Sequence, residues 1–212
     1  MTEVIERLAA LRVVPVLTAT DADEAERACE ALLAGGLSAV EVTFRTDAAA
    51  DAIRRVAQID GLVVGAGTIL STAQLAQALD AGASFAVAPG TNASVVEAAR
   101  ATGVPFFPGV ATPSEIERAR ELGRRVLKVF PASILGGPPL LKALAAVYRD
   151  VRFVPTGGIS AENLASYLDV PAVLACGGTW ICEQSLLREG RFDEVARRAR
   201  EAVALVAPVA AA

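Results

Sequence analysis

The sequence predicts an α/β fold, a (β/α)8 (TIM) barrel with an extra N-terminal helix. Three observations point there. Eight short apolar runs alternate with amphipathic stretches along 212 residues, as in a chain of βαβ units. The runs are apolar on both faces, as parallel strands covered by helices must be. No G-x-G-x-x-G follows the first run, which weighs against the runner-up, an open doubly wound sheet. At this length a single domain, residues 1–212, is the natural expectation.

The elements follow in order. Residues 2–11 read as a helix placed to close the barrel bottom. Strand-like runs occupy residues 13–17, 39–44, 62–67, 85–89, 105–110, 126–131, 151–155 and 172–177. Helix-like stretches occupy 21–34, 47–58, 72–81, 92–101, 113–122, 139–148, 161–168 and 192–206. Expected N-caps are Asp21, Asp47, Ser71, Asn92, Thr112 before Pro113, and Ser160. Gly35, Gly82, Gly103 and Gly123 mark helix ends. The Ala-rich tail, residues 209–212, is expected to fray.

Composition excludes several classes. No run reaches about 18 apolar residues without a charge or turn, so no membrane span is expected. The N-terminus is acidic and amphipathic, unlike a signal peptide, and a soluble cytoplasmic protein is expected. A net charge of −4 with scattered arginines predicts no nucleic-acid surface. Cys29, Cys176 and Cys182 lack metal-ligand spacing and read as small buried residues in a reducing compartment. The chain has no histidine, which removes imidazole-based nucleophile systems, metal ligands and acid/base steps.

Barrel chemistry sits at the C-terminal ends of the strands. Lys128, one of two lysines beside eighteen arginines, interrupts the apolar run Val126-Leu127-Lys128-Val129-Phe130-Pro131. A buried lysine pairs or gives up its proton, and the neutral amine is a nucleophile for carbonyls. A lone strand lysine can also protect an exposed sheet edge. In Val40-Glu41-Val42-Thr43-Phe44-Arg45, alternation gives Glu41, Thr43 and Arg45 one face. Glu41 and Arg45 would lie about 13 Å apart along such a strand, too far for a relaxed pair. Val126, Lys128 and Phe130 likewise share a face, and if it points inward Lys128 can approach Glu41. Gly65-Ala66-Gly67-Thr68 offers close backbone approach and a hydroxyl, or a tight turn with a cap. The fourth run ends in Ala88-Pro89-Gly90 and the fifth in Pro108-Gly109-Val110, both shaped turns. Gly157-Gly158 and Gly177-Gly178 follow the last two runs, and backbone amides there near a helix N-terminus would suit a phosphate. Trp180 either walls the pocket or packs.

These residues together resemble the class I 2-keto-3-deoxy-6-phosphogluconate (KDPG) / 2-keto-4-hydroxyglutarate (KHG) aldolase family. Gly36 through Arg45 matches the family's G-x-x-x-x-E-[hydrophobic]-T-[LF]-R pattern. Gly123…Leu127-Lys128-Val129-Phe130-Pro131-Ala132…Gly136 matches its Schiff-base lysine pattern, with Val129 where Leu is commoner. Gly65–Thr68, Pro155-Thr156-Gly157-Gly158 and Gly177-Gly178-Thr179-Trp180 match in order, with Thr179 where relatives often carry Ser. The likeness covers roughly residues 10 to 205.

The resemblance implies a metal-independent lyase without cofactor, cleaving KDPG to pyruvate and glyceraldehyde 3-phosphate in the Entner–Doudoroff pathway. KHG, yielding pyruvate and glyoxylate, is a second substrate it admits. Lys128 would form the Schiff base and Glu41 would move protons. Arg45, Thr68 and Pro89 would hold the pyruvate moiety. Thr156 would touch the hydroxyl or aldehyde group. Gly157, Gly158, Gly177, Gly178 and Thr179 would bind phosphate. A homotrimer is implied as well. The competing readings are a phosphate-binding barrel isomerase or synthase, and an aldolase trimer used as an assembly scaffold.

Overall fold

A computed structural model describes residues 2–206. The expected fraying tail lies outside them. The chain opens with α1 (Thr2–Leu11), β1 (Val13–Leu17), α2 (Ala22–Ala34), β2 (Ala39–Thr43) and α3 (Ala49–Val56). It continues through β3 (Val63–Gly67), α4 (Thr72–Asp80), β4 (Phe85–Val87), α5 (Ala93–Thr102), β5 (Phe106–Phe107) and β6 (Gly109–Val110). The last third holds α6 (Pro113–Glu121), β7 (Val126–Val129), α7 (Gly137–Val147), β8 (Arg152–Pro155), α8 (Leu164–Leu168), β9 (Cys176–Gly178), α9 (Gln184–Arg188) and α10 (Phe192–Val206).

All strand pairs are parallel, in two sheets ordered β5-β4-β3-β2-β1-β9 and β6-β7-β8. Neighbours in space are neighbours in sequence, and the first strand pairs with the last. That order has no reversal of the kind a doubly wound sheet requires. Single bridges Phe153↔Val173 and Thr156↔Gly177 run between β8 and the segment that carries β9. The fold is therefore an α/β arrangement of parallel strands with helices outside.

The expected fifth run, 105–110, divides into β5 and β6 around Pro108, which has no N–H for a ladder. The run 126–131 stops at Val129, and the run 172–177 is regular strand only from Cys176. A short helix, α9, forms where none was expected.

Side-chain caps explain the starts of α2, α4, α5 and α6. Asp21 accepts from Glu24 N–H at 2.7 Å, Ser71 from Gln74 N–H and Asn92 from Ser94 N–H. Thr112 and Glu115 form a reciprocal capping box ahead of Pro113. Two expected caps fail. Ala48, not Asp47, precedes α3 and makes no side-chain cap. Ser160 lies before the true start of α8, its N–H donating to Asn163 Oδ1 at 2.9 Å. Gly35 ends α2 for a packing reason: a Cβ there would lie 2.3 Å from Ala199 Cβ of α10.

The core has two parts. The larger lies between strands and helices, with Leu17, Leu32, Val40, Ile53, Val96, Leu127 and Leu141 fully buried. The smaller gathers Val14, Ala39, Val63, Phe85, Phe107 and Val154 from the opposite strand faces around Leu8 of α1. α1 thus plugs the N-terminal end, and the polar inner side chains stand nearer the C-terminal ends.

Candidate active site

The strand period explains how an acid and a base come to share a dry interior. Val40 and Val42 turn to the helix layer and are fully buried there, so Glu41 and Thr43 turn inward. Leu127 and Val129 do the same on β7, which sends Lys128 inward. Lys128 Nζ donates to Glu41 Oε1 at 3.1 Å, with side chains 6% and 4% exposed. Among the described residues this is the one ion pair with both partners buried. Lys128 Nζ also lies 5.6 Å from the centroid of the Phe130 ring. That distance suits a cation–π contact.

Glycines make the room. A Cβ on Gly67 would fall 2.1 Å from Glu41 Oε1, and one on Gly65 would fall 2.1 Å from the Phe85 ring. These glycines read as places for a ligand to reach the backbone or as a tight turn with a cap; the space left by their missing side chains is taken by Glu41 and Phe85. Gly109 plays the same part for main chain: its Cβ would meet Pro89 C and O at 2.1 Å. Pro89 is thereby seated against β6, beside the strand that carries Lys128.

Above the pair opens a cleft of about 490 Å³, lined by Thr18, Arg45, Gly158, Ser160, Thr179 and Trp180 among others. Lys128 and Glu41 are not in its walls. Arg45 lies beyond the end of β2 in a turn and is exposed. It faces the cleft rather than Glu41, and among the described residues no carboxylate lies within 4.0 Å of it. Thr68 follows the end of β3, half-buried in left-handed backbone, φ 59°.

Thr156 is buried, and its Oγ1 has no hydrogen-bond partner among the described residues. A buried hydroxyl without a partner is costly, which marks the position as one that a ligand or water completes. Gly177 leaves the space that this hydroxyl fills, at 2.3 Å from a would-be Cβ. Gly178 does the same for the Trp180 ring and Gly158 for Ser133. Gly157 and Gly158 both take positive φ, 98° and 74°. The expected helix N-termini do not stand directly behind these glycines, because α8 begins at Leu164 and α9 at Gln184. Turns follow instead, and Trp180 both lines the cleft and packs on Gly178.

Two side chains join the site that residue chemistry had given no role. Phe130 was placed on the Lys128 face by its spacing. Thr18 continues the inward alternation Val14, Val16 just past β1, and its Oγ1 lies 2.8 Å from Thr43 Oγ1. The three cysteines are free and buried, apart from the pair.

A buried amine beside a carboxylate, under an open cleft, is equipped for carbonyl condensation with proton transfer. Known proteins can be set beside that geometry. The family model "KDPG and KHG aldolase" matches residues 4–198. A 2-dehydro-3-deoxy-phosphogluconate aldolase of Treponema pallidum is 44% identical over 97% of this chain and 99% of its own. The 2-keto-3-deoxy-6-phosphogluconate aldolase of Zymomonas mobilis ZM4, solved with 3-phosphoglycerate, superposes with a TM-score of 0.88 at 40% identity, covering 96% of this chain and 95% of that one. A Legionella pneumophila KDPG aldolase, which holds pyruvate as a covalent carbinolamine, gives a TM-score of 0.88 at 34% identity over 92% of this chain and 96% of its own. With agreement from near the first residue to the last helix, the chain belongs to the KDPG and KHG aldolase family.

Proposed function

We propose that the protein is a class I aldolase that cleaves 2-keto-3-deoxy-6-phosphogluconate to pyruvate and glyceraldehyde 3-phosphate. The observation that carries the reading is Lys128, buried and 3.1 Å from Glu41. The Lys128 amine attacks the C2 carbonyl to give a carbinolamine, and Glu41 delivers the proton with which water leaves. The resulting iminium draws the C3–C4 bonding pair as the C4 hydroxyl loses its proton, releasing the aldehyde. The enamine left behind takes a proton at C3, and water then frees pyruvate and restores the amine. The iminium acts as the electron sink, so the scheme calls for neither metal nor organic cofactor.

Arg45, with its planar fork, suits the pyruvate carboxylate, and Thr68 and Pro89 flank that end. The unpartnered hydroxyl of Thr156 supports its assignment to a substrate hydroxyl or aldehyde oxygen. Gly157, Gly158, Gly177, Gly178 and Thr179 are assigned to the phosphate, supported by Gly158 and Thr179 in the cleft wall.

The broader frame is part of the same proposal. The strands close as a (β/α)8 barrel in one domain. Support comes from the two bridges between β8 and the β9 segment, and from Lys128 N–H donating to Pro108 O at 2.9 Å across the divided fifth strand. A homotrimer fits the exposed Leu70 and Ile134, 56% and 85% accessible, as apolar contacts on one subunit. No described helix is long and apolar enough to cross a membrane, in keeping with a cytoplasmic enzyme.

Cleavage of 2-keto-4-hydroxyglutarate to pyruvate and glyoxylate is the second activity, by analogy with the Escherichia coli relative called KHG/KDPG aldolase, 42% identical over 90% of this chain. Incubation with pyruvate and borohydride, followed by peptide mass mapping, tests the reading. An adduct on Lys128 is expected. An isomerase, a synthase or a scaffold without activity gives none, and an adduct on Lys142 would move the nucleophile.

A further inference from the structure

Thr18 and Thr43 sit side by side because β1 and β2 pair in the register Val16↔Glu41 and Leu17↔Val42. Their hydroxyl oxygens are 2.8 Å apart, and among the described residues each has only the other as a hydrogen-bond partner. The two differ in surroundings. Thr43 is 1% exposed, whereas Thr18 is half-buried and lines the cleft with Arg45, Gly158 and Thr179. The buried Thr43 proton has one acceptor in reach, Thr18 Oγ1, and a buried O–H left without an acceptor is disfavoured. Thr43 is therefore the donor. The Thr18 oxygen accepts that proton, and its own proton turns to the open side, which is the cleft.

The height of this hydroxyl is fixed by the strand. Thr43 lies two residues beyond Glu41 on the same face, about 7 Å further toward the C-terminal end. C2 of the substrate is fixed at Lys128 beside Glu41, and β1, with Thr18 just past its end, pairs with β9 in the register Pro15↔Gly178, next to the phosphate-assigned Gly178 and Thr179, so atoms beside Thr18 belong further along the carbon chain. We infer that Thr18 is a specificity-determining residue that donates a hydrogen bond to an oxygen of the aldehyde-derived half of the substrate, with Thr43 as the positioning residue that aims it. The inference rests on the aldolase reading and extends it to two residues that reading leaves unassigned.

The test compares two rates in each variant: cleavage of 2-keto-3-deoxy-6-phosphogluconate, and trapping of pyruvate alone by borohydride. Thr18→Val is expected to lower kcat/KM for cleavage about tenfold more than it lowers trapping, as loss of one aimed hydrogen bond would. Thr18→Ser, which keeps the hydroxyl, restores most of the difference. Thr43→Val shifts the ratio in the same direction by a smaller factor, since it acts through Thr18. Equal losses in both rates, an unchanged ratio, or a Ser variant as poor as Val overturns the role of Thr18. A wild-type ratio in Thr43→Val overturns the proton assignment. If Thr18→Val does not fold by circular dichroism, Thr18→Ala carries the same comparison. Wild-type protein that traps no pyruvate overturns the aldolase reading, and this inference with it.

Discussion

Removing one partner of the Lys128–Glu41 pair leaves the other charge in an apolar interior. Glu41→Gln keeps the shape of the side chain and deletes its charge. With side chains 6% and 4% exposed, the pair lies far from the regime of surface ion pairs, which contribute about 0–1 kcal/mol. Breaking a buried pair costs about 3–5 kcal/mol, because the surviving ion has neither water nor partner. For a domain of this size each kcal/mol moves Tm by about 2–4 °C, so Glu41→Gln lowers Tm by roughly 10 °C. Lys128→Met strands the carboxylate instead and destabilises by a comparable amount. The double variant Glu41→Gln/Lys128→Met leaves no charge behind and recovers most of the loss, giving a coupling of at least about 2 kcal/mol. Differential scanning calorimetry at neutral pH on the four proteins measures this. A double variant whose Tm falls by the sum of the single losses would refute the reasoning, since the two charges would then be solvated independently.

Two further expectations concern the packing around the pair. Gly67→Ala puts a methyl 2.1 Å from the present place of Glu41 Oε1. It should cut kcat for cleavage by about a hundredfold, the scale of a misplacement near 1 Å, and destabilise by about 1–3 kcal/mol; an unchanged kcat would count against Glu41 as the proton carrier. Burial raises the thiols of Cys29 and Cys176 from 9.0 to about 12, reinforced at Cys29 by Glu30 and opposed at Cys176 by Arg12. A thiol raised in the folded state contributes stability that is intact below about pH 9 and declines as the pH rises toward about 12. Native protein should thus resist a thiol reagent at pH 8, react fully in guanidinium, and show a denaturation midpoint that drops above pH 9; a midpoint that climbs there would contradict it.

The inward aim of Glu41 and Lys128 was legible because each sits in an alternating run whose odd partners are plainly core. Val40, Val42, Leu127 and Val129 left the two charged side chains one direction to take. Arg45 was harder. Alternation was extended past Thr43, where the strand had already ended, so its distance from Glu41 reflects a turn and not four residues of pleat. The glycines of β3 were legible as sites of close approach, but not what approaches: the neighbours filling them come from β2 and β4, and that pairing is a tertiary fact. Asp47 and Ser160 have the composition of caps, yet side-chain chemistry does not say which turn precedes the first helical residue. The Thr18–Thr43 contact depends on the register of two strands, which no single stretch of sequence encodes.

Lysine usage has a practical consequence. Lys128 is enclosed, and Lys142, exposed on α7, is the one other lysine in a chain whose remaining basic side chains are all arginine. A bulky amine-reactive label should therefore mark Lys142 and spare Lys128. A small carbonyl electrophile that fits the cleft reaches the interior amine instead. Size of reagent alone would then sort surface conjugation from occupancy of the interior, which makes this chain a convenient host for immobilisation through a single lysine side chain without blocking the cleft.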